Sequence, residues 1–303
     1  MTLSGIDGKV LLPAEVVELA DAADSKSAGV ESPVRVRFPP SAPEEGLAFL
    51  IFMEVFFLRF LDFDLQDRDL DSAASELLDG VKSGKKYFVL TLNALIVYEY
   101  LRNRDYHEAL ERVNYVVPDG SGVLKAIKLL NKRKVGRVPG IDLMLTICKL
   151  ASMGNERIYL LGSKTDTVTK TIKNLKERYP GLNIAGYHNG FFDESESDTI
   201  VSEINNSRAD ILFVGMGVPK QELWITENLD RLNVRVLMGV GGSFDVISGN
   251  LKRAPAWMQR LGLEWFYRTI QEPRKRLRLI PKLVKFELHI LKSYLCLRRG
   301  GSG

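Results

Sequence analysis

The residue types best suited to chemistry in this 303-residue chain fall in short segments rich in glycine and small polar side chains. They are Thr91-Leu92-Asn93, Pro118-Asp119-Gly120-Ser121-Gly122 and Gly239-Val240-Gly241-Gly242-Ser243-Phe244-Asp245. Glycines let backbone amides approach a phosphate closely, and a helix starting beside them adds a favourable partial charge. None of these segments is G-x-G-x-x-G or G-x-x-x-x-G-K-[ST], which argues against a dinucleotide fingerprint or a P-loop. Asp119 is the most suggestive acid. Held between proline and glycine, its carboxylate can reach a bound hydroxyl and take its proton. It can equally cap a helix beginning near Gly120. The pattern leaves both readings open.

Other candidates are weaker. Asp62-Phe63-Asp64 is a D-x-D of the sort that holds a divalent ion against a sugar nucleotide, but it precedes Asp67, Asp69 and Asp71 in an acidic stretch that reads as a solvated loop. His188 has no ligand-spaced partner and reads as a loop hydrogen-bonder. Cys148 and Cys296 form no C-x-x-C and read as reduced packing residues. No metal site is expected.

The elements that must position these residues alternate. Strands are predicted over 86–92, 114–117, 157–162, 183–187, 210–217 and 234–242. Helices are predicted over 94–104, 106–112, 123–130, 141–152, 164–179 and 194–205, with another after Pro219. Strands separated by helices of this length argue βαβ units and a parallel sheet. In such sheets ligands sit beyond the carboxyl ends of the strands, where the small polar segments lie.

Composition supports a globular α/β chain, with 45% apolar and 26% charged residues. No apolar run reaches the roughly 20 residues of a membrane-spanning helix. The formal charge of +4 is unevenly spread. Residues 1–52 carry −4, residues 53–248 carry −2 and residues 249–303 carry +10. The basic segment clusters Arg268, Arg274, Lys275, Arg276 and Arg278, then interleaves Lys282, Lys285 and Lys292 with apolar residues. It reads as an amphipathic surface for an anionic membrane or as the solvated face of a packed helix. No recognised nucleic-acid module accompanies it, so nucleic acid is not expected as a partner. Residues 1–52 read as a non-native or disordered extension. Ala14–Pro43 resembles an in-frame translation of a bacterial leucine transfer-RNA gene, which makes Met53 the expected start; the genomic DNA tests this by forming a cloverleaf or not. Residues 300–303 read as a linker scar.

Together T-L-N-A (91–94), V-P-D-G-S-G (117–122), R-V-P-G-I-D (137–142), I-Y-L-L-G (158–162), G-x-P-K-Q-E-x-W (217–224), G-V-G-G-S-F-D (239–245) and K-R-A-P…Q-R-x-G-L-E-W-x-Y-R (252–268) resemble the WecG/TagA/CpsF glycosyltransferases from about Phe57 to Lys285. The resemblance implies a Rossmann-like core at 53–250 and a basic helical appendage at 251–299. It implies an inverting, metal-independent transfer from a UDP-sugar, without other cofactors. The acceptor would be a polyprenyl-diphosphate-linked sugar at the inner membrane face, in teichoic acid or surface polysaccharide synthesis. Asp119 then matches the general base and Thr91 a partner in catalysis. Asn93, Arg137 and Gln221 match substrate-pocket groups, and Gly241, Gly242 and Asp245 the nucleotide-side loop. Arg268, Arg274, Lys275 and Arg278 match basic groups facing a diphosphate. Relatives can self-associate, so a homo-oligomer that masks the appendage is a further expectation.

One departure is Leu95, where many relatives carry an acid, which bears on donor or acceptor identity. Two other readings remain at this level: a non-catalytic membrane- or nucleic-acid-binding protein, and a metal-dependent D-x-D transferase.

Overall fold

The computed structural model describes residues 63, 65–130 and 135–300, the side chains of Lys275 and of residues 297–300 excepted. Phe63–Ile290 make one compact unit, and the chain from Leu291 is grouped apart from it. Six strands form one parallel sheet: β1 Tyr87–Leu92, β2 Tyr115–Pro118, β3 Arg157–Gly162, β4 Asn183–His188, β5 Ile211–Gly215 and β6 Val236–Gly239. Their order across the sheet is β2-β1-β6-β5-β3-β4. All residues of β1, β2, β5 and β6 are buried, as expected where helices cover both faces of a parallel sheet.

The covering helices are α1 Leu70–Ser83, α2 Ala94–Tyr100, α3 Arg104–Leu110, α4 Ser121–Leu130, α5 Gly140–Ala151, α6 Thr165–Arg178, α7 Ser197–Asn206 and α8 Lys220–Asn228. Successive strand residues point to opposite faces and so supply two cores. Val89, Leu160, Phe213 and Met238 pack with Ala73 and Leu77 of α1, Met144 and Ile147 of α5, and Val168 of α6. Their neighbours Phe88, Leu161, Leu212 and Leu237 pack with Ile200 and Ile204 of α7 and with Trp224 and Ile225 of α8. This is the three-layer α/β arrangement implied by the strand–helix alternation.

Two local readings change. The acidic stretch is not simply a solvated loop: Asp69 is the N-cap of α1, accepting from the Ser72 N–H at 2.8 Å, and Asp71 lies in that helix's first turn. The helix predicted over 94–104 stops at Tyr100 because Asn103 opens the next one, its side chain accepting from the Tyr106 N–H at 3.2 Å. Beyond β6 the chain continues through short helices α9 Ser243–Ile247, α10 Ala256–Arg260, α11 Glu264–Gln271 and α12 Pro273–Arg276, and then the long α13 Ile280–Gly300. Phe286 and Ile290 on the first half of α13 are buried, and Lys282 pairs with Glu99 of α2. No helix among the described residues is long and apolar enough to cross a membrane.

Candidate active site

Neighbouring parallel strands β1 and β2 align Leu92 with Pro118, so their following loops leave the sheet side by side. The N–H groups of Asp119 and Gly120 both donate to the Leu92 carbonyl, at 3.0 and 3.3 Å. A Cβ at Gly120 would lie 3.2 Å from Cβ of Asn93, so glycine permits this close approach. Asn93 caps α2, its Oδ1 accepting from the N–H groups of Leu95 and Ile96, while its Nδ2 donates to the Thr91 carbonyl. Thr91 is buried, with its side chain against Gly140.

Of the two sequence readings of Asp119, the structure bears on the capping one, and the helix it serves is a different one. Its Oδ2 accepts from the N–H of Gly140 at 3.2 Å, so it satisfies the start of α5 rather than of its own following helix. Its Oδ1 lies 3.4 Å from Nη2 of Arg137, whose Nε donates to the Asp119 carbonyl at 2.6 Å. The side chain nevertheless remains 25% exposed, so an incoming hydroxyl has access. Burial pushes its pKa above the ordinary carboxylate range; Arg137 and the Gly140 N–H oppose this, and nearby Glu264 reinforces it. A carboxyl raised in this way is a better proton acceptor once ionised.

Glu264 was not among the sequence candidates. It sits in α11 between two cations, accepting from Arg137 Nη2 at 3.0 Å and from Arg268 Nη2 at 3.1 Å. Burial pushes Glu264 upward, but Arg268 and Arg137 outweigh it and hold the group below its usual value. The chain Asp119–Arg137–Glu264–Arg268 therefore joins the β2 loop to the basic segment. Arg253 reinforces the same junction with a two-pronged pair to Asp142 on α5, both contacts at 2.6 Å. The signal for Glu264 was present in the sequence as an acid four residues before Arg268, a spacing that pairs on one helix face.

A second group gathers after β6. Gly241 has φ +51°, in the left-handed region that glycine tolerates. A Cβ at Gly242 would have Asp245 Oδ2, Arg268 Nη1 and Arg276 Nη2 as its nearest atoms, at 3.7, 3.9 and 3.9 Å. Ser163, after β3, reaches Asp245 with its hydroxyl at 3.5 Å. Burial and the neighbouring Arg268 both depress the pKa of Arg276, offset by Glu272 and Asp245. Two guanidinium groups therefore stand beside a glycine-rich turn, with Glu264, Glu272 and Asp245 as their acidic neighbours. Within the basic cluster Arg268 and Arg276 thus face this turn, while Arg274 and Arg278 are exposed. Lys275 lies in α12, its side chain outside the described residues.

Gln221 is placed beneath the loops, only 3% exposed. Its Oε1 accepts from the N–H groups of Gly217 and Gly241, and its Nε2 donates to Glu222. His188 bonds the Asn189 carbonyl through Nδ1 at 2.8 Å, in keeping with a loop role. Asp62, Asp64 and the whole of residues 1–52 lie outside the described residues.

Residues 58–300 match the model of the glycosyl transferase WecG/TagA/CpsF family. A Bacillus subtilis (strain 168) protein described as N-acetylglucosaminyldiphosphoundecaprenol N-acetyl-beta-D-mannosaminyltransferase is 36% identical over 205 residues, 68% of this chain and 79% of the relative. A Staphylococcus aureus (strain MW2) protein of the same description is 36% identical over 218 residues, 70% of this chain and 85% of that one. The match spans both residue groups of the site, and the chain belongs to the glycosyl transferase WecG/TagA/CpsF family and is a glycosyltransferase.

Proposed function

We propose that this enzyme moves a sugar, N-acetylmannosamine or a related hexose, from UDP to a polyprenyl-diphosphate-linked sugar, with inversion and without a metal ion. The observation that carries the reading is the ionic chain from Asp119 through Arg137 and Glu264 to Arg268, which links a partly exposed carboxylate to paired arginines beside Gly242. The acceptor follows the printed descriptions of the relatives.

On this reading Asp119 takes the proton of the acceptor hydroxyl as its oxygen attacks the anomeric carbon. The bond from that carbon to the UDP oxygen breaks on the opposite face, and the electron pair leaves with UDP. A positioned base contributes ~10²–10⁴-fold. The departing diphosphate gains negative charge, which Arg268 and Arg276 would meet without prior reorganisation. The packing of Thr91 on Gly140 and the capping by Asn93 keep the base loop in place.

The lipid acceptor also fits the surface of the basic segment. Trp257, Leu261, Trp265, Phe266, Ile270 and Leu277 are large apolar residues left exposed there. Together with the +10 charge they favour peripheral attachment to an anionic bilayer face, in cell-surface polysaccharide or teichoic acid assembly. The test is UDP release from a panel of UDP-sugars with a lipid-diphosphate-GlcNAc acceptor, with and without EDTA. Turnover that survives EDTA supports the reading. Release only with added divalent metal would overturn its metal-independent part, and no release from any UDP-sugar would overturn the donor assignment.

A further inference from the structure

We propose that Glu222 is a positioning residue which, through Gln221, holds the loops after β5 and β6 in register for the donor diphosphate. The proposal rests on the reading that the donor binds over the β6 loop. Glu222 is 1% exposed and has no cationic partner among the described contacts. Its Oε1 accepts from Gln221 Nε2 at 2.6 Å, a bond that holds the NH₂ end of the Gln221 carboxamide from below. Burial pushes Glu222 up to about 7, and in either protonation state Oε1 can accept, with any proton carried on Oε2, so it faces the NH₂ end of the amide and leaves the oxygen turned away. That oxygen then receives the Gly217 N–H at 3.1 Å, from the β5 loop, and the Gly241 N–H at 2.9 Å, from the β6 loop. If the amide turned over, two backbone donors would face an NH₂ group, leaving both unsatisfied.

The surroundings are shaped for this pair. A Cβ on Gly239 would fall 2.5 Å from Gln221 Nε2 and 2.9 Å from Glu222 Oε1, so glycine at the end of β6 makes the space they occupy. The second carboxyl oxygen of Glu222 and the hydroxyl of Tyr106 are both buried outside hydrogen-bond geometry, although each biases the other's ionisation. A buried acid with one incompletely satisfied oxygen costs stability. Its place directly beneath two glycine loops gives that cost a use: it fixes an amide that ties Gly241 next to Gly242 and the paired arginines.

The test compares Glu222→Leu, which fills similar volume but accepts no hydrogen bond, with Glu222→Gln, whose amide oxygen can still accept from Gln221. Thermal melting establishes folding. Steady-state UDP release gives KM for donor and acceptor separately, and hydrogen exchange reads the Gly217 and Gly241 amides. Glu222→Leu should raise the donor KM about tenfold, the scale of one lost hydrogen bond, and leave the acceptor KM unchanged. It should also expose both glycine amides to faster exchange, while Glu222→Gln stays within about threefold of the native donor KM. A folded Glu222→Leu variant with native donor KM overturns the proposal, even if its glycine amides exchange faster. Should Glu222→Leu not fold, Gln221→Ala must reproduce the selective donor effect, and its failure to do so overturns the proposal equally. Absence of turnover in the native enzyme overturns the donor reading instead, and the exchange measurement then still tests whether Glu222 sets the loops.

Discussion

In the proposed mechanism Asp119 would combine a structural and a chemical task in one carboxyl group. Because Oδ2 holds the first N–H of α5, removing the side chain would disturb the helix start as well as the chemistry. Asp119→Asn is therefore the informative change: its side-chain oxygen can still accept from Gly140, but the group takes no proton. We expect Asp119→Asn to melt close to the native enzyme and to lose ~10²–10⁴-fold in kcat/KM, measured by UDP release. The pH profile gives the sign of the environment. Burial and Glu264 raise the pKa of Asp119, so the acid limb of kcat/KM should lie above the usual aspartate range, near 4. Glu264→Gln removes one cause of that rise and frees Arg137 to act on Asp119 alone; both effects move the limb to lower pH. A limb that moves upward or stays fixed would separate the observed titration from Asp119. For the arginines, Arg276→Ala should weaken UDP binding measured by calorimetry at least tenfold, the scale of a charge-assisted contact, and Arg274→Ala within about threefold. The sequence identified the cluster at 274–278 because charge is visible in composition. It could not rank the members, since which guanidinium faces Gly242 depends on the turn between α11 and α12.

At the scale of elements, legibility followed how strongly one face was buried. The strands were readable as continuous apolar runs because helices cover both sides of the sheet, and the boundaries of β1 and β3 follow the pattern closely. Helix α1 escaped because its entrance carries Asp67, Asp69 and Asp71, a composition that also suits a solvated loop. Only the backbone arrangement shows Asp69 to be a cap, with Ala73, Ala74 and Leu77 packed on the core behind it. Likewise Gln221 read as a pocket group from its motif, whereas its burial beneath two loops needed the sheet order that places β5 beside β6. The packing of α1 has a measurable consequence. Leu77 is fully buried in the core cluster, so Leu77→Ala should cost about 2–5 kcal/mol and lower Tm by several degrees. Its folded fraction should keep the native donor KM, because α1 contributes no residue to the groups around Asp119 or Gly242. A changed KM at full folding would mean that α1 acts on the site through α5.

Over the whole molecule, a formal charge of +4 conceals a basic end of +10, and the described part of that end does two jobs that a simple truncation would confuse. Arg268 and Arg276 lie beside Gly242 in the candidate site, and Phe286 and Ile290 are buried. Deleting the chain from residue 268 would therefore remove the charge beside Gly242, packing and surface together. Substituting exposed apolar residues separates them, since Trp257 and Ile270 are well exposed and lie outside the ionic chain of the site. Attachment to anionic lipid combines apolar insertion with screened electrostatics, so it should weaken with salt and with loss of the aromatic anchor. In flotation with vesicles of mixed anionic and zwitterionic lipid, the native enzyme should bind at low salt and release progressively as salt rises. Trp257→Ser with Ile270→Ser should reduce binding about tenfold or more, the scale expected for removing two large apolar contacts. On a short-chain soluble acceptor, the same double variant should keep native kcat/KM, because the residues around Asp119 and Gly242 are untouched. Loss of vesicle binding together with loss of turnover on the soluble acceptor would show that this surface is coupled to the site, and binding unaffected by either salt or the double substitution would show that the lipid is met elsewhere on the molecule.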